Sequence, residues 1–233
     1  MPSINPVSPY LLAVRTSLQL HSLKDIWCIS PTLPLALRLT MALCQSVEKL
    51  TTSKSLRTED AQLWMEKIRP AEQLLDKLFS TISPKLHQAV SEAMQKVGYG
   101  QLQFGSKSWS DHEISEAARC WPGITPGISV ISNRASICHV DVNGHKEWYD
   151  LLVSAGTYKS CWFRLPDLEL CLKYLPGTVV ALNGRILRHE VVEWEGGDRV
   201  CYAHWVRPTL LRALSISFPS WVSQLEYIEQ LTP

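Results

Sequence analysis

The sequence has almost no net charge: 23 Lys and Arg stand against 22 Asp and Glu, a formal +1 at pH 7. The whole molecule therefore projects no field that would gather a polyanion, and any nucleic-acid footprint must be a local patch. Its seven cysteines are odd in number, scattered, and never spaced Cys-x-x-Cys. That pattern argues against a disulfide framework or a structural zinc site and favours a reducing compartment. No apolar run is long enough to span a bilayer, so no membrane partner is expected. The run Tyr10–Val14 is stopped by Arg15 and lacks the length and basic start of a signal peptide. What is present is ordinary for a folded chain, 45% hydrophobic and 19% charged over 233 residues, enough for one substantial core with a helical extension. Nine tryptophans are many for this length, and several are expected beside a site or in sheet packing.

The first half reads as helical. Residues 1–9 carry three prolines and form an extended leader. Leu35, Leu39, Ala42 and Leu43 give the stretch from Leu33 to Leu50 an apolar stripe at helical spacing, broken by Thr51-Thr52-Ser53-Lys54-Ser55. Thr58-Glu59-Asp60 opens a helix with a capping residue and early acids. Its apolar face is Leu63, Trp64 and Ile68, Pro70 kinks or restarts it, and Leu74, Leu75, Leu78 and Ile82 continue the stripe. Ser83-Pro84 is a new start, with proline at the first helical position. Leu86, Ala89, Val90, Ala93, Met94 and Val97 then recur at three and four up to Gly98, a face made for packing against a sheet. From Gly98 to Ile128 glycines and prolines leave loops and a short helix, His112 to Arg119.

After residue 128 the helical period disappears. Ile128–Val130, Ser136–Val140, Leu151–Val153, Cys161–Leu165, Leu170–Tyr174, Val179–Leu182, Ile186–Val192 and Arg199–Val206 read as short strands. Asn143-Gly144, Pro176-Gly177, Asn183-Gly184 and Gly196-Gly197 punctuate them. Short strands with turn signals predict a two-sheet jelly roll. The fold class is thus α+β, with an N-terminal helical region and entry loops over 1–127 packed on a core over 128–233. Leu210, Leu211, Leu214 and Ile216 fit helix or strand equally, Phe218-Pro219 breaks them, and Trp221 to Leu231 reads as a closing helix.

The chemistry concentrates between His139 and Arg199. On an extended strand alternate side chains share a face, so His139 and Asp141 point the same way. A histidine from a neighbouring strand, His189, would complete a facial set of two imidazoles and one carboxylate. Such a set leaves three coordination positions open and suits non-haem Fe(II). Arg199, ten residues beyond His189, offers a planar fork for a carboxylate such as that of 2-oxoglutarate. On its strand Arg199, Cys201, Ala203, Trp205 and Arg207 share one face. His204 lies on the other and reads as packing. His145 sits in a turn region that would hold a metal poorly.

The residues around this set resemble the TET/JBP family of Fe(II)/2-oxoglutarate nucleobase dioxygenases, its small basidiomycete members in particular. The resembling stretches are Ser132-Asn133-Arg134, His139-Val140-Asp141, Glu147-Trp148-Tyr149-Asp150-Leu151-Leu152 and Tyr174-Leu175-Pro176-Gly177-Thr178-Val179-Val180. They continue with Gly184-Arg185-Ile186-Leu187-Arg188-His189 and Gly197-Asp198-Arg199-Val200-Cys201-Tyr202-Ala203. The cysteine-rich zinc-binding extension of the larger animal relatives has no equivalent among these residues. The resemblance implies a double-stranded β-helix, with His139, Asp141 and His189 on Fe(II) and Arg199 on the far carboxylate of 2-oxoglutarate. It implies that O2 oxidises the cosubstrate to succinate and CO2 while a methyl group is hydroxylated. The substrate implied is 5-methylcytosine in double-stranded DNA, flipped out to reach the metal, with the chain acting as a monomer in the nucleus.

Arg134 and Trp205 stand where relatives place groups that stack on the two faces of the base. Two positions depart from the family pattern. Position 207 is Arg where relatives have a base-bonding histidine. Position 144 is Gly where some have a carboxylate, although Asn143 is adjacent and able to substitute. These positions, rather than the metal motif, separate 5-methylcytosine from the alternatives of N-methyladenine or RNA. Phe104, Trp109 and Trp121 are further candidate DNA contacts or buried aromatics. An inactive transposon-associated DNA-binding relative is a rival class, opposed by the intact set of His139, Asp141, His189 and Arg199. A hydroxylase of protein or small molecules is another, distinguished by lacking a basic groove beside the metal.

Overall fold

The computed structural model describes residues 11–15, 37–42, 59–99, 102–104, 107–109 and 118–221, with side chains described over 63–99 and 118–221. The chain divides into two compact units, Met1–Leu39 with Ser129–Trp205 and Thr40–Ile128 with Val206–Pro233. The strands in chain order are β1 (Leu11–Arg15), β2 (Leu37–Ala42), β3 (Leu102–Phe104), β4 (Lys107–Trp109), β5 (Gly127–Ser132) and β6 (Ser136–His139). Then come β7 (Asp150–Gly156), β8 (Ser160–Leu165), β9 (Leu170–Lys173), β10 (Thr178–Leu182), β11 (His189–Val191), β12 (Trp194–Glu195) and β13 (Arg199–Trp205). The helices are α1 (Glu59–Ile82), α2 (Pro84–Gly98) and α3 (Pro208–Ala213).

Two sheets build the first unit. One runs β1-β10-β7-β13-β5-β2, the other β12-β8-β11-β6 with β9 paired to β8. The alternation of β8 shows why they stack: Cys161, Phe163 and Leu165 are buried while Trp162 and Arg164 are exposed. From the facing sheet Leu152, Val180 and Leu182 meet these side chains, with Val191 and Cys201 in the same cluster. Each such burial is worth about 1.5–3 kcal/mol. All five residues of β10 are buried, as a continuous apolar run between β1 and β7 requires. The result is the expected double-stranded β-helix.

Gly156 ends β7 directly opposite Arg199, the first residue of β13. It has φ of +118°, and a Cβ there would overlap the Asp198 carbonyl oxygen. Only glycine combines that backbone with that approach.

The helical unit follows its stripes except at Leu63, expected on the apolar face and found 51% exposed. On α1, Trp64, Met65, Ile68, Ala71, Leu75 and Phe79 are buried, and the helix is continuous through Pro70. Glu72 is buried beside them, its carboxylate accepting the Ile124 N–H at 3.1 Å. On α2 the buried face is Leu86, Ala89, Val90, Ala93 and Val97, and within its unit the helix packs on α1 and α3. Trp121 belongs to this unit's core: its ring lies 6.3 Å from that of Trp64 and its Nε1 donates to the Thr125 carbonyl at 2.8 Å.

Some expectations change. The middle of the stretch read as a helix from Leu33 to Leu50 is the strand β2. The apolar run at Tyr10–Val14 supplies β1, which pairs with β10. β11 begins only at His189, because Ile186 and Leu187 turn back onto the Asn183 carbonyl at 3.2 and 3.0 Å. The leader, the side chains of Phe104 and Trp109, and the closing helix beyond Trp221 lie outside the described residues. So does all of the short helix read at His112 to Arg119 except Ala118–Arg119, which are helical. Among the described residues no helix is long and apolar enough to cross a membrane, and the five described cysteines are free.

Candidate active site

His139 ends β6 and His189 begins β11, and the antiparallel register makes them direct partners. Opposed residues on adjacent strands place their Cβ atoms about 5 Å apart, and here the ring centroids are 4.3 Å apart. Asp141 leaves the strand end, tied by its N–H to the Gly184 carbonyl at 2.7 Å. Its Oδ1 lies 3.8 Å from Nε2 of His139 and its Oδ2 3.6 Å from Nε2 of His189. One ligand atom from each residue lies within 4.8 Å of the others, making a group able to hold a metal ion.

The donor set suits such an ion. Each Nδ1 meets a backbone carbonyl two residues earlier, Ile137 at 2.7 Å and Leu187 at 3.1 Å. This fixes the tautomer that leaves both Nε2 lone pairs free toward Asp141. Burial pushes His189 below the ordinary imidazole pKa, against the pull of the Leu187 carbonyl and Asp141, so it is neutral as a ligand must be. Phe163 stacks on its ring at 5.8 Å. The opening is on the other side, where the side chains of His139 and Asp141 are 41% and 35% exposed.

Arg199 lies at the start of β13, only 2% exposed. Its guanidinium is 5.8 Å from the Tyr174 ring and 5.9 Å from the Trp194 ring. One Nη1 donates to the Arg134 carbonyl at 3.1 Å, while the buried Nε has no partner. Among the described residues no carboxylate pairs with it. A buried cation in that condition is costly unless an anion joins it, which is the fit expected of a cosubstrate carboxylate. The neighbouring walls are held by Tyr158, which bonds to Ser154 and donates to the Tyr174 carbonyl at 2.7 Å.

The other expected residues are scattered more widely. Arg134 is exposed at the β5–β6 bend. Trp205 is half-buried, its Nε1 bonded to Ser129 Oγ at 3.0 Å, and it shares the parity of Arg199, Cys201 and Ala203. Asn143 is exposed in the turn after Asp141. Arg207 falls in the other unit as the N-cap residue of α3, with extended backbone. His204 is fully buried and bonds to the Leu151 carbonyl, and His145 packs on Trp148 with ring centroids 4.5 Å apart. Neither belongs to the metal-competent group. Sequence alone marks Gly184 only as a turn residue and gives Asn133 no role, although both stand in the resembling stretches.

A β-helix carrying two facing imidazoles, a carboxylate and a buried unpaired arginine defines the class of non-haem iron, 2-oxoglutarate-using oxygenases. The chain belongs to the Tet/JBP family, the oxygenase domain of the 2OGFeDO superfamily, whose family model matches residues 45–209. Its chemistry uses Fe(II), 2-oxoglutarate and O2. No curated protein matches the chain significantly in sequence. Among solved structures it is similar to NgTET1 in complex with 5mC DNA, with a TM-score of 0.54 at 13% identity over 84% of this chain and 69% of that one. A viral collagen prolyl hydroxylase from Paramecium Bursaria Chlorella virus-1 is similar at a TM-score of 0.29 and 16% identity, over 34% and 56% of the two chains. OsALKBH1 is similar at 0.34 and 9%, over 86% and 100%.

Gly184 gives a first test of the metal centre. A Cβ there would overlap Asp141 Oδ2 and come within 2.9 Å of Asp150 Oδ2. Gly184→Ala must therefore displace the Asp141 carboxylate, and it is expected to weaken Mn(II) binding about ten- to a hundredfold. Unchanged affinity in an isothermal titration would remove Asp141 from the ligand set.

Proposed function

We propose that the chain oxidises 5-methylcytosine in double-stranded DNA to 5-hydroxymethylcytosine, with His139, Asp141 and His189 on Fe(II) and Arg199 on 2-oxoglutarate. The observation that carries this reading is the buried, carboxylate-free Arg199 in the same unit as an open facial triad. The substrate is drawn from the Tet/JBP family and from the 5mC DNA held by NgTET1.

When bound, the iron with 2-oxoglutarate and O2 supplies the oxidation, one oxygen atom entering the methyl group and the other entering succinate as CO2 leaves. The chain's own residues set the conditions. Carbonyl-anchored imidazoles hold their lone pairs ready, so no reorientation is required when metal arrives. Arg199 neutralises the distal carboxylate and fixes it with two parallel bonds. Phe163 closes the His189 side to water and leaves the exposed edge of His139 and Asp141 for the substrate. In this reading the Arg134 guanidinium and the Trp205 indole stack on a flipped base, and Asn143 meets its edge. A nuclear site of action follows from that substrate and is tested by imaging a tagged chain.

The deciding experiment is turnover on a panel of duplexes carrying 5-methylcytosine, N-methyladenine or no methyl group, with methylated RNA beside them. Hydroxymethylcytosine formed from the first alone supports the reading; product from another substrate alone replaces it. On the preferred duplex Trp205→Ala should slow oxidation about ten- to a hundredfold, since stacking is worth about 1–3 kcal/mol per base. Conversion of 2-oxoglutarate to succinate without DNA should stay near wild type. Loss of that uncoupled reaction as well would make Trp205 a packing residue and the pocket wrong.

A further inference from the structure

The bend between β5 and β6 does more than connect two strands. Asn133 sits at its apex with φ of +47°, a left-handed conformation that asparagine tolerates better than most residues. From there its backbone N–H donates to the Arg199 carbonyl at 2.8 Å. Its side-chain Oδ1 accepts the Arg199 N–H at 2.8 Å, and its Nδ2 donates to Asp198 Oδ1 at 2.9 Å. One residue later the Arg134 carbonyl receives Nη1 of the same arginine. The bend thus grips Arg199 at its N–H, its carbonyl and its guanidinium.

We infer that Asn133 is a positioning residue for the cosubstrate, its amide bridging Asp198 and the Arg199 backbone so that the guanidinium is presented at a fixed point. This rests on the reading of Arg199 as the 2-oxoglutarate residue. The chemistry of the side chain is specific. The bridge needs an acceptor for one backbone N–H and a donor for one carboxylate on the same short side chain, at a left-handed position. Glycine satisfies the backbone alone. Aspartate satisfies the acceptor half but faces the Asp198 carboxylate with a second negative charge. Serine and threonine carry a shorter side chain on which both bonds would have to converge at one oxygen. Positioning of this kind matters because small displacements of a binding group cost large factors in a preorganised site.

The test uses the full chain loaded anaerobically with Mn(II), with labelled 2-oxoglutarate in equilibrium dialysis and Mn(II) affinity read by electron paramagnetic resonance. Asn133→Gly keeps the backbone conformation and removes the amide. It is expected to weaken 2-oxoglutarate binding about tenfold, near what the loss of such hydrogen bonds produces, with Mn(II) affinity unchanged. In turnover with Fe(II), KM for 2-oxoglutarate should rise by a similar factor and kcat at saturation should hold. The exchanged pair Asn133→Asp with Asp198→Asn rebuilds the bridge with acceptor and donor swapped, and should recover 2-oxoglutarate affinity to within about threefold of wild type. Arg199→Lys is the control for the underlying reading. Wild-type cosubstrate affinity in Asn133→Gly, with affinity lost in Arg199→Lys, overturns the role of Asn133 alone. Wild-type affinity in Arg199→Lys overturns the reading of Arg199 itself. Parallel loss of Mn(II) and 2-oxoglutarate in Asn133→Gly, not recovered by the exchanged pair, makes Asn133 a residue of the fold and overturns the inference.

Discussion

Asp141→Ala is expected to abolish turnover and to weaken Mn(II) or Fe(II) binding by more than about a hundredfold, with little change in the melting temperature. The carboxylate is the one anionic member of the metal-competent group, and second-sphere changes alone cost such sites about ten- to a hundredfold. Losing a ligand outright must exceed that. Stability is a separate matter. The side chain is 35% exposed, so its removal opens no cavity, and a surface truncation is worth about 0.5 kcal/mol or less. What ties this segment down is the backbone bond from Asp141 N–H to the Gly184 carbonyl, which alanine keeps. Calorimetry and a metal titration on one preparation therefore separate the outcomes. Metal binding retained in Asp141→Ala would sink the ligand assignment; a collapsed melting transition would show Asp141 to be structural.

The core of the fold was legible because its strands announce themselves in two independent ways. Alternation on Cys161–Leu165 gave the inward face of β8, and the Gly and Pro pairs gave the turns, so the eight strands expected after residue 128 correspond to β5 to β11 and β13. The same parity placed Arg199, Cys201 and Ala203 on the inner face and His204 on the other. The strands that join from outside this region were harder to see. In Leu37–Ala42 the apolar residues Leu37, Leu39 and Met41 alternate with Arg38 and Thr40, a strand signal. Leu35, Leu39, Ala42 and Leu43 overlay a helical spacing on it, and tertiary pairing decides between them. β12, two residues long, is too short for any periodicity. The meeting of His139 and His189 could be guessed from chemistry, but the strand pairing shifts register between His189 and Val191, which no spacing rule supplies. Asn133 and Gly184 were missed for a related reason: their roles lie in a left-handed bend and in a close approach, both properties of the folded backbone.

Arg199 supports an expected result that couples function to stability. Arg199→Lys should raise the 2-oxoglutarate KM about a hundredfold, equivalent to about 2.7 kcal/mol, while DNA affinity changes by less than about threefold. Lysine keeps a positive charge in water, but it loses the two-pronged geometry and the bond to the Arg134 carbonyl. At 2% exposure an ammonium would also be driven toward its neutral form, losing the attraction for a carboxylate. Arg199→Met should eliminate cosubstrate binding and leave the metal-free chain at least as stable as wild type. The reason is that Arg199 has no carboxylate among the described residues and an unpartnered Nε. A buried cation of that kind opposes folding, and an apolar side chain of similar length between the Tyr174 and Trp194 rings removes the penalty while keeping the packing. Thermal melts with and without 2-oxoglutarate read both effects: ligand should raise the midpoint of wild type and leave that of Arg199→Met unmoved. A variant that melts several degrees lower would show that the hydrogen bond to Arg134 and the ring contacts outweigh desolvation. Equal losses of DNA and 2-oxoglutarate binding in Arg199→Lys would mark the residue as a phosphate contact or a structural element, and the cosubstrate assignment would fall.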